Sequence, residues 1–227
     1  MADNVNDLNA RLVAAAAGKV DSSALRSRYG IDCFALVDAL LRSVRANSAH
    51  DYNDEVRVTA TADYKWGDGI LLDSIRPGDI VQFRKHLVQV WIYEQQADGS
   101  WFMTEEKSFT RPHHTGIVMS LLKGGGVEVV EQNVKPSPRK VTRNSILRLA
   151  PGEDTRYETK GKKEVKIKIK VTGGASAYRP VAKPKKGASL LRPTDLSSAG
   201  QGSLLARASY LPAQGGVKRR QGPVGIG

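Results

Sequence analysis

A free thiol, an imidazole and a polar side chain that can orient the imidazole together make a cysteine nucleophile. Three stretches of this sequence supply them. Cys33 follows the polar, turn-like Tyr29-Gly30-Ile31-Asp32 and opens an apolar-periodic run. His113-His114 leads into the apolar stretch Thr115-Gly116-Ile117-Val118, and Glu131-Gln132-Asn133 ends the next one. A cysteine in the first turn of a helix sits at the positive end of the helix dipole. That position favours the thiolate and offers main-chain N–H groups to an oxyanion. Read singly, Cys33 would be a small buried hydrophobe and the histidines solvated loop residues. Read together they point to Cys33 as nucleophile, His114 as base, and Asn133 or Glu131 as the group that holds the imidazole.

These residues need elements to carry them. Asp7 to Lys19 has helical apolar spacing, with Leu8, Leu12 and Ala15 or Ala16 on one face and Gly18 as a stop. Asp32 is the expected N-cap of a second helix, on which Val37, Leu40, Leu41 and Val44 form an apolar stripe. Strand signals follow. Arg76-Pro77-Gly78-Asp79 is a turn that releases the short strand Ile80-Val81-Gln82-Phe83. Ala97-Asp98-Gly99 and Lys123-Gly124-Gly125 each sit between two β-like stretches as hairpin turns, and Asn144 to Leu149 reads as a closing strand. Helices first and antiparallel strands after them predict an α+β fold. Adjacent strand residues face opposite ways, so only one of His113 and His114 can meet Cys33, whereas Glu131 and Asn133 share a face. Tyr29, Asp32, Trp66 and His113 are candidates for the wall of a substrate groove. His50 and His86 have no ligand-spaced partners, so no metal and no cofactor is expected.

The same stretches resemble a known group of enzymes. Asp32-Cys33-Phe34-Ala35-Leu36-Val37 resembles the Asp-Cys-Ser-Gly-x-Val signature of the NlpC-type cell-wall peptidases. Pro77-Gly78-Asp79-Ile80-Val81-Gln82-Phe83 is similar to a strand shared by those peptidases and the CHAP amidohydrolases, the cysteine, histidine-dependent amidohydrolase/peptidases. His114-Thr115-Gly116-Ile117-Val118 is similar to their His-x-Gly-Ile-Val, and Glu131-Gln132-Asn133 to the Glu-x-Asn that ends the CHAP site. The resemblance spans roughly residues 29–135, in the family's order. It implies a papain-like domain over residues 29–150, with a cysteine helix on a barrel-like antiparallel sheet. It also implies hydrolysis of an amide bond, commonly in peptidoglycan, with His114 as base and Asn133 preferred over Glu131 as its orienter. Phe34-Ala35 departs from the usual small Ser-Gly, which bears on what enters the site. The long interval between Cys33 and His114 is read as a hairpin insertion.

Charge divides the chain. Residues 1–150 carry 19 basic and 18 acidic side chains, and residues 151–227 carry 16 and 5, so nearly all of the net +12 lies in the last third. That part also holds 12 of the 22 glycines and 6 of the 10 prolines. Residues 1–28 are expected to be a helical segment. The alternating Val165-Lys166-Ile167-Lys168-Ile169-Lys170-Val171, within residues 151–171, is expected as a charged edge strand or hairpin. Residues 172–227 are expected as a disordered basic tail, able to contact a polyanion such as an envelope polymer, a membrane surface or nucleic acid. One cysteine excludes a disulfide framework and a cysteine-rich zinc site. The acidic start and the short early apolar stretch do not make a signal peptide, and nothing approaches a membrane span. The expectation is a protein made in the cytoplasm that reaches any envelope substrate by another route. A catalytically silent domain of the same fold, used for binding and anchored by the tail, is the alternative that the sequence leaves open.

Overall fold

Helix α1 (Val5–Ala17) buries Leu8, Leu12 and Ala16 along one face. A short antiparallel ribbon of β1 (Arg26–Ser27) and β2 (Gly30–Ile31) leads into α2 (Cys33–Ser43). Asp32 caps α2 as its type and position predict: its backbone is extended, and its carboxylate accepts from the Ala35 N–H at 2.7 Å. Phe34, Leu36, Val37, Leu40 and Leu41 are buried on α2, and α3 (Ala49–Tyr52) follows after a short loop. The structure, a computed structural model, describes residues 5–27, 30–52 and 64–184. The expectations for Tyr29 and for residues 185–227 fall outside these.

The remaining elements form one antiparallel sheet. In chain order they are β3 (Asp68–Ile70), β4 (Ile80–Gln95), β5 (Trp101–Leu122), β6 (Gly126–Gln132), β7 (Val141–Ile146), β8 (Gly152–Lys160) and β9 (Lys163–Arg179). Their order in space is β3-β9-β4-β5-β6-β7, with β8 also paired to β9. The class is therefore α+β, and the sheet is open, with β3 and β7 at the ends of its path. Helices α1 and α2 pack on one face, where Leu12, Leu36 and Leu41 meet Ile80, Ile117, Val130 and Val141 in one apolar cluster. Truncating a fully buried member such as Leu36 to Ala would cost about 2–5 kcal/mol.

The turn at Pro77-Gly78-Asp79 is tied to both ends of the fold. The buried Asp79 carboxylate accepts from Asn9 Nδ2 at 3.0 Å on α1 and from Arg179 Nε and Nη2 at 3.2 and 3.1 Å on β9. Gly78 has φ +86, and a Cβ there would lie 2.5 Å from the Asn9 carbonyl oxygen, so no side chain fits.

Of the two alternatives for residues 151–171, the hairpin is the one seen, since β8 and β9 pair through the turn at Lys160↔Lys163. The alternating lysine strand is not an edge: β9 lies between β4 on one side and β8 and β3 on the other. Its lysines lie on one face, where Lys166 covers the rings of Tyr93 and Trp101 at 4.8 and 4.6 Å. Val165, Ile169 and Val171 are buried; Ile169 and Val171 share a small separate core with Val88 and Val90. Nor does order stop at Thr172. β9 continues to Arg179, pairing Phe83↔Ala175 and Ile80↔Tyr178. The small residues read as low complexity are what this passage requires. Gly173 sits at φ +79 opposite an irregularity at Arg84–Leu87, and a Cβ there would lie 2.0 Å from the Lys85 carbonyl oxygen.

Candidate active site

Three elements bring the predicted nucleophile and base together. α2 presents Cys33 in its first turn, 8 % exposed. β5 carries His114, which pairs with Phe83 of β4 and lies in loose parallel stacking with its ring, centroids 6.4 Å apart. β6 carries Glu131, which is fully buried. The His114 ring and the Cys33 side chain line the same cleft and interact, and His114 Nε2 lies 2.9 Å from Oε2 of Glu131. That second contact is close but off the axis of a well-formed hydrogen bond, so charge holds it more than direction does.

The third member is Glu131, not the preferred Asn133. β6 ends at Gln132, and Asn133 turns out of the strand at φ +64 with its side chain exposed. The alternation argument that placed Glu131 and Asn133 on one face fails because the strand stops between them. Asn133 stands at the mouth of the cleft.

Glu131 is itself held. Arg111 Nε donates to Oε2 at 2.9 Å and Nη2 donates to Oε1, a two-pronged pair. Asn144 Nδ2 adds a third bond to Oε1 at 2.9 Å. The Arg111 guanidinium also lies 5.6 Å from the centre of the Phe83 ring. The charges then alternate from Arg111 through Glu131 to His114. Burial alone would raise the Glu131 carboxyl, but the bonds and charges of Arg111 and His114 override it and hold the group down to about 2. Burial alone would lower the His114 imidazole. The interactions with Cys33 and the Glu131 carboxylate outweigh it and raise the group to about 9. The arrangement favours the imidazolium form of His114.

Gln132 locks the two halves in register. Its side chain is fully buried; Nε2 donates to the carbonyl oxygens of Asp32 at 2.6 Å and Leu25 at 2.9 Å, and Oε1 accepts from Leu25 N–H at 2.8 Å. Sequence reasoning missed this, as it missed Arg111 and Asn144. The available signal for Arg111 was a cation three residues before His114 on one strand, with a carboxylate on the next.

A cleft of about 690 Å³ opens beside Cys33, and Asp32, Phe34, Tyr64, His113, Asn133 and Lys135 are among the residues that line it. Asp32 and His113 thus stand where a groove was expected. His113 faces the Tyr64 ring, centroids 5.5 Å apart, rather than Glu131. Trp66 does not line the cleft: it is fully buried and packs on Phe34 and Tyr64 at 5.1 and 5.6 Å. Phe34, where the resembled signature has a small residue, thereby joins the cleft floor to the core. Among the described residues no group of three or more His, Cys, Asp or Glu is placed to hold a metal ion, and no helix is long and apolar enough to cross a membrane. No protein-family model matches the chain, and no curated protein and no solved structure matches it either.

Proposed function

We propose that the protein is a cysteine-dependent amide hydrolase of papain-like organisation. The observation that carries this reading is the Cys33–His114–Glu131 chain at the wall of an open cleft, with the sulfur at a helix N-terminus. In the first half-reaction Cys33 Sγ attacks the amide carbonyl carbon, and main-chain N–H groups of the first turn of α2 receive the oxyanion. The C–N bond breaks as the His114 imidazolium protonates the departing amine, leaving a thioester on Cys33. In the second, His114 takes a proton from water, the hydroxide attacks the thioester, and the thiol leaves with the proton. Glu131, fixed by Arg111 and Asn144, stabilises the imidazolium form throughout.

Peptide stems of peptidoglycan and other peptide amides are the substrates that this reading nominates. The test compares wild type with Cys33→Ala by mass spectrometry of products, on muropeptides and on unbranched peptides. Products that need Cys33 support the hydrolase. A chain that binds either material equally well with and without Cys33 and releases no product would instead be a binding domain of the same architecture.

A further inference from the structure

The cleft runs along the edge of a strand and not across a face. Residues 108–114 all line it, seven in a row from β5. Side chains alternate between faces along a strand, so a hollow over one face would be lined by every second residue. Consecutive lining places the hollow against the side of the strand, where main-chain N–H and C=O groups point. That side is open. β6 pairs with β5 only from Ile117 to Leu122, and β4 occupies the other side of β5. Among the described residues nothing pairs with the outer edge from Trp101 to Thr110.

Folds usually blunt such an edge with charge. Here Glu105, Glu106 and Lys107 do so farther along the strand. The part inside the cleft, Ser108-Phe109-Thr110, carries no charge. Pro112 also fits an edge, since it has no N–H, and the pairing with β4 passes from Arg84↔His113 to His86↔Arg111 without it. Asn133, Val134 and Lys135 also line the cleft. Six residue steps of strand span about 20 Å.

We propose that this edge binds the substrate as an added strand: an extended, unbranched polypeptide pairs main chain to main chain with residues 108–111 and is carried across Cys33. The proposal rests on the cysteine hydrolase reading and narrows it. Affinity comes from backbone pairing, and Phe109 and Val134 offer apolar contact to alternate side chains of the guest. A sugar-linked or branched amide offers too short a run of main chain to use the edge.

The probe is a set of internally quenched decapeptides of mixed sequence, given to the full chain and to Cys33→Ala, with muropeptides in parallel. The decapeptide cleaved fastest is remade with a single backbone N-methyl group at each position in turn. Strand addition predicts an alternating pattern, with kcat/KM down about fivefold or more at every second position and within about twofold between them. Amides of residues 108–111 should also exchange more slowly when that peptide is bound to Cys33→Ala. Cleavage with no alternation and no protection overturns the edge proposal. So does Cys33-dependent cleavage of muropeptides alone, and both results leave the hydrolase standing. If neither material is cleaved, the hydrolase reading falls and the edge proposal with it.

Discussion

The side-chain amide of Gln132 donates to the carbonyl oxygen of Asp32 across 2.6 Å. One partner is the residue before Cys33 and the other is the residue after Glu131, so a single buried bond sets the spacing between helix and strand at the site. Gln132→Ala should leave the Leu25 N–H and two carbonyl oxygens without their partner, at about 1–3 kcal/mol. Turnover should fall even well below the melting temperature, because the nucleophile loses its register. Thermal melts with kcat measured at low temperature separate the two effects, and a loss of stability with unchanged kcat would deny Gln132 the positioning role.

Cys33→Ser is close to isosteric and should abolish hydrolysis with little change in melting temperature. His114→Ala should be as damaging, whereas His113→Ala should be mild, because His113 faces Tyr64 and not Glu131. The reverse ranking of the two histidine variants would show that the wrong residue has been assigned as base.

The pH dependence follows from the raised imidazole and the lowered carboxyl. The His114 contribution to stability is fully present below its ordinary value of 6.5 and is lost as pH rises through about 9. The Glu131 contribution is present above its ordinary 4.5 and is lost as pH falls toward about 2. These two groups therefore favour folding most between pH 4.5 and 6.5. The alkaline limb of kcat/KM should lie near 9, where the imidazolium is lost. Glu131→Gln removes one of the groups that raise His114 and should move that limb to lower pH. An unmoved limb would mean that Glu131 does not tune the base.

Much of this site could be read from the sequence because it depends on local rules. The Asp32 cap, the α2 stripe and the two hairpin turns each depend on a few neighbouring residues, and each stands where it was expected. The errors came from non-local facts. Asn133 was misplaced because strand alternation says nothing about where a strand ends. Arg111 stayed hidden because its reason for burial, Glu131, lies 20 residues away across a strand pair. The second half of β9 was taken for a tail because Gly173 and its small neighbours resemble a linker until Lys85 is seen against them.

That last correction makes its own prediction. A chain ending at Thr172 loses the half of β9 that pairs with Ile80 to Arg84 and with β3, and should not fold. A chain ending at Lys185 keeps the compact unit and should fold. Residues 186–227 hold six basic side chains and one acidic, a net of +5. If they recruit a polyanionic substrate, the shorter chain should be weaker on it at low salt, with the gap closing as salt rises. Equal activity at low salt would remove the targeting role.

Arg111→Met leaves Glu131 buried without its guanidinium and should cost about 3–5 kcal/mol. Chemical denaturation measures it directly. A change under about 1 kcal/mol would mean that Asn144 and His114 suffice to hold the carboxylate.

The central claim is that Cys33 becomes acylated during turnover. Wild type mixed with a cleaved peptide and quenched in acid within the first turnovers should show, by intact-protein mass spectrometry, an increase equal to the acyl fragment. Peptide mapping should place it on the Cys33 fragment, it should disappear with hydroxylamine, and Cys33→Ala should neither turn over nor carry it. Turnover that persists undiminished in Cys33→Ala, with no adduct on the wild type, would contradict the account.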